Sequence, residues 1–70
     1  MKESILTRFG AHLKELRIKM GLTQSEFAFK GNFNRNYIGM VERGERNPSL
    51  KTLERIAETL EISLSELFNY

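Results

Sequence analysis

Residues 23–44 read TQSEFAFKGNFNRNYIGMVERG, and this stretch decides the fold. Thr23 begins one helix with a capping box, because its hydroxyl can accept from the Glu26 amide while the Glu26 carboxylate reaches back to the Thr23 amide. The break at residues 30–33 requires a backbone of positive φ, which its glycine and asparagine tolerate. Asn34 can cap the second helix of this stretch, which runs through Arg43 and ends at Gly44. The stretch therefore predicts two capped helices joined by a tight turn, which is a helix-turn-helix.

The remaining sequence predicts three more helices around this motif. Apolar residues recur at three- and four-residue steps from about Ser4 to Met20 and mark one amphipathic helix. Ser49 follows the single proline and can cap a fourth helix, and Ser63 opens a short fifth helix with a second capping box. The apolar stripe of the fourth helix comprises Leu50, Leu53, Ile56, Ala57 and Leu60. Because no strand pattern occurs, the sequence predicts an all-α single domain over residues 1–70, with the helix-turn-helix at about 23–43.

The composition disfavours catalysis and metal binding. The chain has 70 residues, one histidine, no cysteine and no aspartate, so the usual groups of a Ser-His-Asp triad or a zinc site are missing. His12 falls in the middle of the first helix, where we expect a surface or boundary residue. We therefore expect a protein that is not an enzyme and that has no metal and no cofactor.

The hydropathy pattern predicts a soluble, cytoplasmic protein without a membrane partner. No apolar run reaches 18 residues, and the charged N-terminus does not look like a signal peptide. A chain of this length buries only about 60% of its unfolded surface, so a second subunit would add stability.

The charges are distributed unevenly along the chain. Residues 1–51 contain ten of the eleven Lys and Arg and five of the nine Glu, which gives a net charge of +5, whereas residues 52–70 carry −3. A basic body with an acidic tail fits a molecule that turns one face to a polyanion. Ordinary scatter of charge over a helical surface explains the same numbers equally well.

The second helix of the motif has the size and chemistry to enter the major groove of DNA. It is short and carries Arg35, Asn36 and Arg43 beside the apolar Ile38 and Val41. Polar side chains on one face of such a helix can reach base edges while the apolar ones face a core.

Several stretches together resemble the Cro/cI-type (XRE-like) helix-turn-helix family. They are Leu22-Thr23-Gln24, Phe27-Ala28, Tyr37-Ile38, the segment VERGERNPS at 41–49, and Ile56-Ala57. The resemblance extends from about Leu13 to Phe68 and implies a compact five-helix, lambda-repressor-like domain from a bacterium or phage. A chain this short is most similar to the controller proteins of restriction-modification systems, and small phage or plasmid repressors share its features.

The chain departs from the family pattern at two glycine positions. Asn32 stands at the usual turn glycine, and Glu61 stands where a glycine commonly ends the fourth helix. Asn tolerates the left-handed conformation, whereas Glu61 would cost about 1 kcal/mol or more at positive φ. We therefore expect the corner at Glu61 to differ in detail.

The resemblance implies a set of DNA contacts. Base contacts would come from Arg35, Asn36 and Met40, because Arg can bond guanine, Asn can read adenine, and Met can pack on a thymine methyl. Gly39 would permit a close approach of DNA or would occupy a relaxed surface position. Contacts to the DNA backbone would come from Gln24, Tyr37, Arg43, Arg46, Asn47, Ser49 and Lys51. For Asn47 and Ser49, turn formation and helix capping are the structural alternatives.

The resemblance also implies one interior ion pair and one subunit interface. Arg17 and Glu42 would form a salt bridge that orients the recognition helix without contacting bases. The C-terminal apolar residues would partly cover the core and partly form a two-fold dimer interface, or would fold wholly onto their own chain. These interface candidates are Ile62, Leu64, Leu67, Phe68 and Tyr70.

Taken together, the sequence predicts a transcriptional regulator that binds double-stranded DNA. We expect a homodimer that reads an inverted-repeat operator and controls its own and adjacent restriction-modification genes, with RNA polymerase as a candidate further partner. The alternative is an antitoxin or another protein-interaction module on the same fold. That alternative would not need Arg35, Asn36 and a basic loop from Arg43 to Lys51 on one face.

Overall fold

The computed structural model describes residues 4–70, and these residues form the five predicted helices. The helices are α1 (Ile5–Lys19), α2 (Gln24–Gly31), α3 (Arg35–Glu42), α4 (Leu50–Leu60) and α5 (Leu64–Leu67). Each begins after a residue whose side-chain oxygen accepts from a first-turn amide: Ser4, Thr23, Asn34, Ser49 and Ser63. The all-α prediction is therefore confirmed. Within residues 4–70, no helix has the length and apolar character needed to span a membrane.

The core lies where α1, α2, α3 and α4 meet, and α5 packs against α4 and adds Leu67 to this core. Phe27, Leu13 and Ile38 are fully buried, as are Ile56 and Leu67. The helix α3 packs against α1 and α2, while α4 packs against α2 and α5. The predicted apolar stripe of α4 is wrong at its first position, because Leu50 is 73% exposed.

Both helix ends that lack the family glycine nevertheless adopt the left-handed conformation. Asn32 ends α2 at φ 58°, and Glu61 ends α4 at φ 60°. After Glu61, the Ile62 amide donates to the Ala57 carbonyl at 3.0 Å. This hydrogen bond is the one found where a glycine ends a helix in the left-handed conformation. The Glu61 carboxylate also pairs with Lys30 Nζ at 2.7 Å. The expectation of a different corner is therefore wrong, and Glu61 carries the strain of a left-handed residue.

Helix α1 approaches the C-terminal end of α3 closely at Gly10. A Cβ atom added to Gly10 would lie 2.4 Å from the carbonyl oxygen of Val41 and 2.5 Å from that of Glu42. Real Cβ atoms do not approach oxygens so closely, so a side chain here would force α1 and α3 apart. The contact seats the end of α3 directly on the backbone of α1.

Candidate nucleic-acid interface

The predicted ion pair between Arg17 and Glu42 is present and fixes α3 to α1. Arg17 Nε donates to one carboxylate oxygen of Glu42 at 2.7 Å, and Nη2 donates to the other at 3.0 Å. Arg17 Nη1 also donates to the carbonyl oxygen of Leu22 at 2.8 Å. Both side chains are at least nine-tenths buried. Because each guanidinium nitrogen and each carboxylate oxygen has a hydrogen-bond partner, the pair tolerates burial, and it orients α3 against α1 and the loop before α2.

Gln24 joins α2 to the same carboxylate. Its Nε2 donates to Glu42 Oε1 at 3.1 Å, so this first residue of α2 is half-buried and directed toward α3. Gln24 and Arg43 also cover Gly39, since an added Cβ would lie 3.2 Å from Arg43 Nη1 and 3.7 Å from Gln24 Nε2. The interpretation of Gly39 as a relaxed surface position is wrong, because this glycine is buried under side chains of its own chain. A close approach of DNA to Gly39 would require Gln24 and Arg43 to move aside and stays a prediction.

The N-terminal turn of α3 presents Arg35 and Asn36 to solvent. Both side chains are exposed, while the main chain beneath them is capped by Asn34. Asn34 Oδ1 accepts from the amides of Asn36 at 2.8 Å and Tyr37 at 3.4 Å. The turn thus combines a fixed backbone with two free polar side chains, which is what reading base edges requires.

The outward residues of α3 share one face of the helix. At 100° per residue, positions 35, 36, 40 and 43 lie within an arc of roughly 140°. Gly39 lies within the same arc but is buried under Arg43 and Gln24. The buried positions 38, 41 and 42 occupy the opposite side. The polar candidates from the sequence are therefore brought together on one surface.

Met40 and Arg46 contact each other on this surface. Arg46 Nε donates to the Met40 sulfur at 3.2 Å, and Met40 is half-buried. A thioether is a weak acceptor, so the contact steers the exposed guanidinium without holding it firmly. Met40, a candidate for base contact, and Arg46, a candidate for DNA-backbone contact, are therefore in direct contact with each other.

Arg43 is held by Glu45, a residue that the sequence interpretation did not single out. Arg43 Nε and Nη2 each donate to a Glu45 oxygen at 3.1 Å. The pair is exposed, and this hydrogen bonding raises the pKa of Arg43 and lowers the pKa of Glu45. The alternating charges of the segment ERGER were the available signal.

The other candidates for backbone contact lie around this surface in different roles. Tyr37 is half-buried and packs against the core. Ser49 Oγ accepts from the Thr52 amide at 3.1 Å and so caps α4, which was the structural alternative to a DNA contact at this residue. Asn47 and Lys51 are exposed on either side of this cap.

The C-terminal candidates divide between core and surface. Leu67 is 0% exposed, so its assignment to a subunit interface is wrong, because a fully covered side chain has no area left for a partner. Ile62 and Leu64 are half-buried against the core. Phe68 and Tyr70 remain 46% and 54% exposed, although Phe68 packs on Phe9 and Tyr70 stacks on His12. Together with Ile5 they rim an apolar groove between α1 and the loop before α4.

Comparison with known proteins identifies relatives over almost the whole chain. The chain is 47% identical to the control protein C.MunI of a Mycoplasma species over 66 residues, which are 93% of this chain and 89% of that protein. The restriction-modification controller protein C.AhdI from Aeromonas hydrophila superimposes with a TM-score of 0.87 at 46% identity, covering 90% of this chain and 96% of that chain. The controller protein C.Esp1396I, solved as a tetramer with its natural 35 base-pair operator, gives 0.85 at 39% identity over 94% and 88% of the two chains.

The family assignment agrees with these relatives and with the motifs in the sequence. The helix-turn-helix family matches residues 13–67, which include α2, the turn, α3 and all of α4. The chain therefore belongs to the helix-turn-helix family of DNA-binding transcriptional regulators.

Proposed function

We propose that this protein is a sequence-specific regulator that binds an operator upstream of restriction-modification genes, its own gene included. The outward face of α3 carries the proposal, because exposed Arg35 and Asn36 stand on a backbone fixed by a cap, an ion pair and the Gly10 contact. Its similarity to controller proteins, one of them solved on operator DNA, supports the same role. The bacterial cytoplasm is where such an operator would be found.

The proposed base contacts follow from the chemistry of the exposed side chains. Arg35 can bond O6 and N7 of a guanine, Asn36 can bond N6 and N7 of an adenine, and Met40 can pack on a thymine methyl. Contacts to phosphates would fix the register and supply the salt-dependent part of the affinity. The residues proposed for these contacts are Gln24, Tyr37, Arg43, Arg46, Asn47, Ser49 and Lys51.

A homodimer is the proposed binding form. Phe68 and Tyr70 keep about half of their surface exposed at the end of the chain, and Ile5 lies beside them at 66% exposed. A two-fold interface here would be self-complementary and would bury this apolar surface. Two copies would then place two α3 helices about 34 Å apart, one turn of DNA, and would read an inverted repeat.

The decisive experiment selects binding sites from a random duplex library at about 0.15 M salt, with sedimentation to count the bound chains. We expect an inverted repeat bound by two chains. Arg35→Ala should lose about five- to a hundredfold in operator affinity, because a bidentate contact to guanine is removed. Lys14→Ala, which removes an exposed charge on α1, is the matched control and should retain the selected sequence. Binding that ignores sequence and depends only on salt would reject the proposal.

A contact with RNA polymerase is proposed at α2. Phe29 on this helix is 90% exposed, an unusual position for a large aromatic side chain, and α2 is the helix that precedes the turn. We expect Phe29→Ala to leave operator affinity unchanged and to reduce transcription from an operator–promoter template by purified polymerase. The same exposed side chain would serve the alternative function, an antitoxin that binds a toxin. Unchanged transcription in the Phe29 variant would favour that alternative over polymerase contact.

A further inference from the structure

We propose that Arg55 is a positioning residue that holds the turn between α2 and α3 in place from α4, and so sets how the first turn of α3 meets DNA. This inference rests on the proposed function. Arg55 lies in the middle of α4, outside the helix-turn-helix, and is not one of the candidate DNA contacts, of which Lys51 lies one turn earlier on the same helix. Its guanidinium nevertheless reaches the backbone of the turn.

The first part of the contact is made to backbone carbonyls. Arg55 Nη2 donates to the carbonyl oxygen of Gly31 at 2.9 Å and to that of Asn32 at 2.7 Å. These are the last carbonyls of α2 and its left-handed cap, which have no partner within the helix. A positive charge at a helix C-terminus is also favoured by the helix dipole. Arg55 therefore completes the C-terminal end of α2 with a group from another helix.

The second part of the contact is a stack of three groups. The Arg55 Cζ atom lies 4.3 Å from the centre of the Phe33 ring, and the Phe33 ring stacks parallel to Phe27 at 6.0 Å. Phe27 is fully buried, so the stack runs from the surface guanidinium to the core. A cation over an aromatic face adds attraction to this packing.

The turn is also confined on the side of α4 by Thr59. A Cβ added to Gly31 would lie 2.5 Å from Thr59 Oγ1 and 2.5 Å from the Phe33 ring. The Thr59 hydroxyl itself donates to the Arg55 carbonyl oxygen at 2.7 Å. Arg55 and Thr59 thus form a seat on α4 that contacts the turn and leaves no room for a side chain at Gly31.

The position of this seat in the chain explains why it should affect DNA recognition. Phe33 is two residues before Arg35, the first residue of α3, so a rotation at the turn displaces Arg35 and Asn36 directly. Contacts to base edges require placement within about 0.5 Å, whereas contacts to phosphates are more tolerant. Loss of the seat should therefore reduce specific binding more than non-specific binding.

The test compares Arg55→Met, which keeps an unbranched stem but removes the charge and the donors, with Arg55→Lys. Affinity is measured for the selected operator and for a random duplex between about 0.1 and 0.3 M salt, at a temperature where every variant is folded. Lys14→Met on α1 removes the same charge and serves as the control. Lys51→Met removes a proposed phosphate contact one turn before Arg55 on the same helix and serves as the contrast.

We expect Arg55→Met to lose about tenfold in operator affinity, while its affinity for random duplex falls no more than that of Lys14→Met. Arg55→Lys should recover part of the loss, because an ammonium can donate to a carbonyl but does not reproduce the planar stack. Lys51→Met should instead weaken both complexes equally and reduce the salt slope by about one. If Arg55→Met behaves like Lys51→Met, Arg55 contacts phosphate and the proposal is overturned.

A second measurement on the free protein separates this inference from the proposed function. The amides of Asn32 and Phe33 donate to the Phe29 and Ala28 carbonyls at the turn. In Arg55→Met these two amides should exchange with solvent faster, while the Leu67 amide of α5 should not change. If wild-type protein shows no sequence preference, the proposed function fails, and amide exchange still decides whether Arg55 holds the turn. Unchanged exchange at the turn would overturn the inference.

Discussion

On α3, the inner residues Ile38, Val41 and Glu42 are at most 9% exposed, whereas Arg35, Asn36 and Arg43 on the outer side are exposed. Every polar atom of the inner Glu42 carboxylate is engaged by Arg17 or Gln24, while the outer side chains have few or easily broken contacts. The inner face therefore determines where the helix lies, and the outer face determines what it can bind. One helix of eight residues separates folding from recognition, so substitutions on the two faces should have separable effects.

The largest effect is expected from Glu42→Ala on the inner face. Removal of the carboxylate leaves the buried Arg17 charge without its partner, which costs about 3–5 kcal/mol in the free energy of unfolding. Chemical denaturation followed by circular dichroism measures this loss. Glu15→Ala, an exposed glutamate on α1, is the control and should change stability by less than about 0.5 kcal/mol. Equal stabilities of the two variants would mean that the inner face does not depend on this ion pair.

A smaller loss is expected from Gly10→Ala, on the α1 side of the same contact. The new Cβ would overlap two carbonyl oxygens of α3, and such overpacking costs about 1–3 kcal/mol. Gly39→Ala is the matched control, since Gly39 is also a buried helical glycine, but its new Cβ would be close only to Arg43 Nη1, at the end of a flexible side chain, and in ordinary contact with the Gln24 amide. That variant should be neutral or more stable, because Ala favours helix by about 1 kcal/mol over Gly. Thermal unfolding of the pair decides whether close approach or helix propensity governs each position.

The smallest effect is expected from Glu45→Gln beside the outer face. The variant releases Arg43 for phosphate and removes a negative charge, so affinity for any duplex should rise by about two- to fivefold at low salt. Because Arg43 lowers the pKa of Glu45, the carboxylate stays charged to a lower pH than usual. Wild-type affinity should therefore approach that of the variant only as the pH falls through this lowered pKa.

Glu15→Gln makes the same change of net charge on α1 and is the control for Glu45→Gln. Binding titrations at several pH values measure both variants against wild type. If Glu45→Gln binds DNA no more tightly than Glu15→Gln, the Arg43–Glu45 pair does not compete with DNA for Arg43.

The sequence predicted the features that depend on neighbouring residues. Thr23 and Ser63 could be recognised as capping boxes because both partners of each box lie within three residues. The Arg17–Glu42 pair spans 25 residues and was available only through the family resemblance. The conformation of the corner at Glu61 was predicted wrongly, because only the cost of a left-handed glutamate could be judged from the sequence. The Lys30 ion pair and the hydrogen bond to the Ala57 carbonyl, which accompany this conformation, arise from the fold.

Features that depend on tertiary packing were not predictable from local patterns. Gly39 was interpreted as a surface position because it lies between the candidate base contacts Asn36 and Met40, but Gln24 and Arg43 fold over it. Leu67 looked like part of a subunit interface, since an apolar residue near a chain end has no periodicity that distinguishes core from surface. Arg55 gave no signal because its partners are backbone carbonyls more than twenty residues earlier.

The contact at Gly10 also has an entropic consequence for binding. Binding loses affinity wherever it must immobilise flexible side chains, at roughly 0.5–1.5 kcal/mol for each. At Gly10 the joint between α1 and α3 is made by backbone atoms alone, which have no rotamers to lose. The end of α3 therefore has little freedom left to surrender when it meets a rigid duplex, and the free energy of its contacts is retained as affinity.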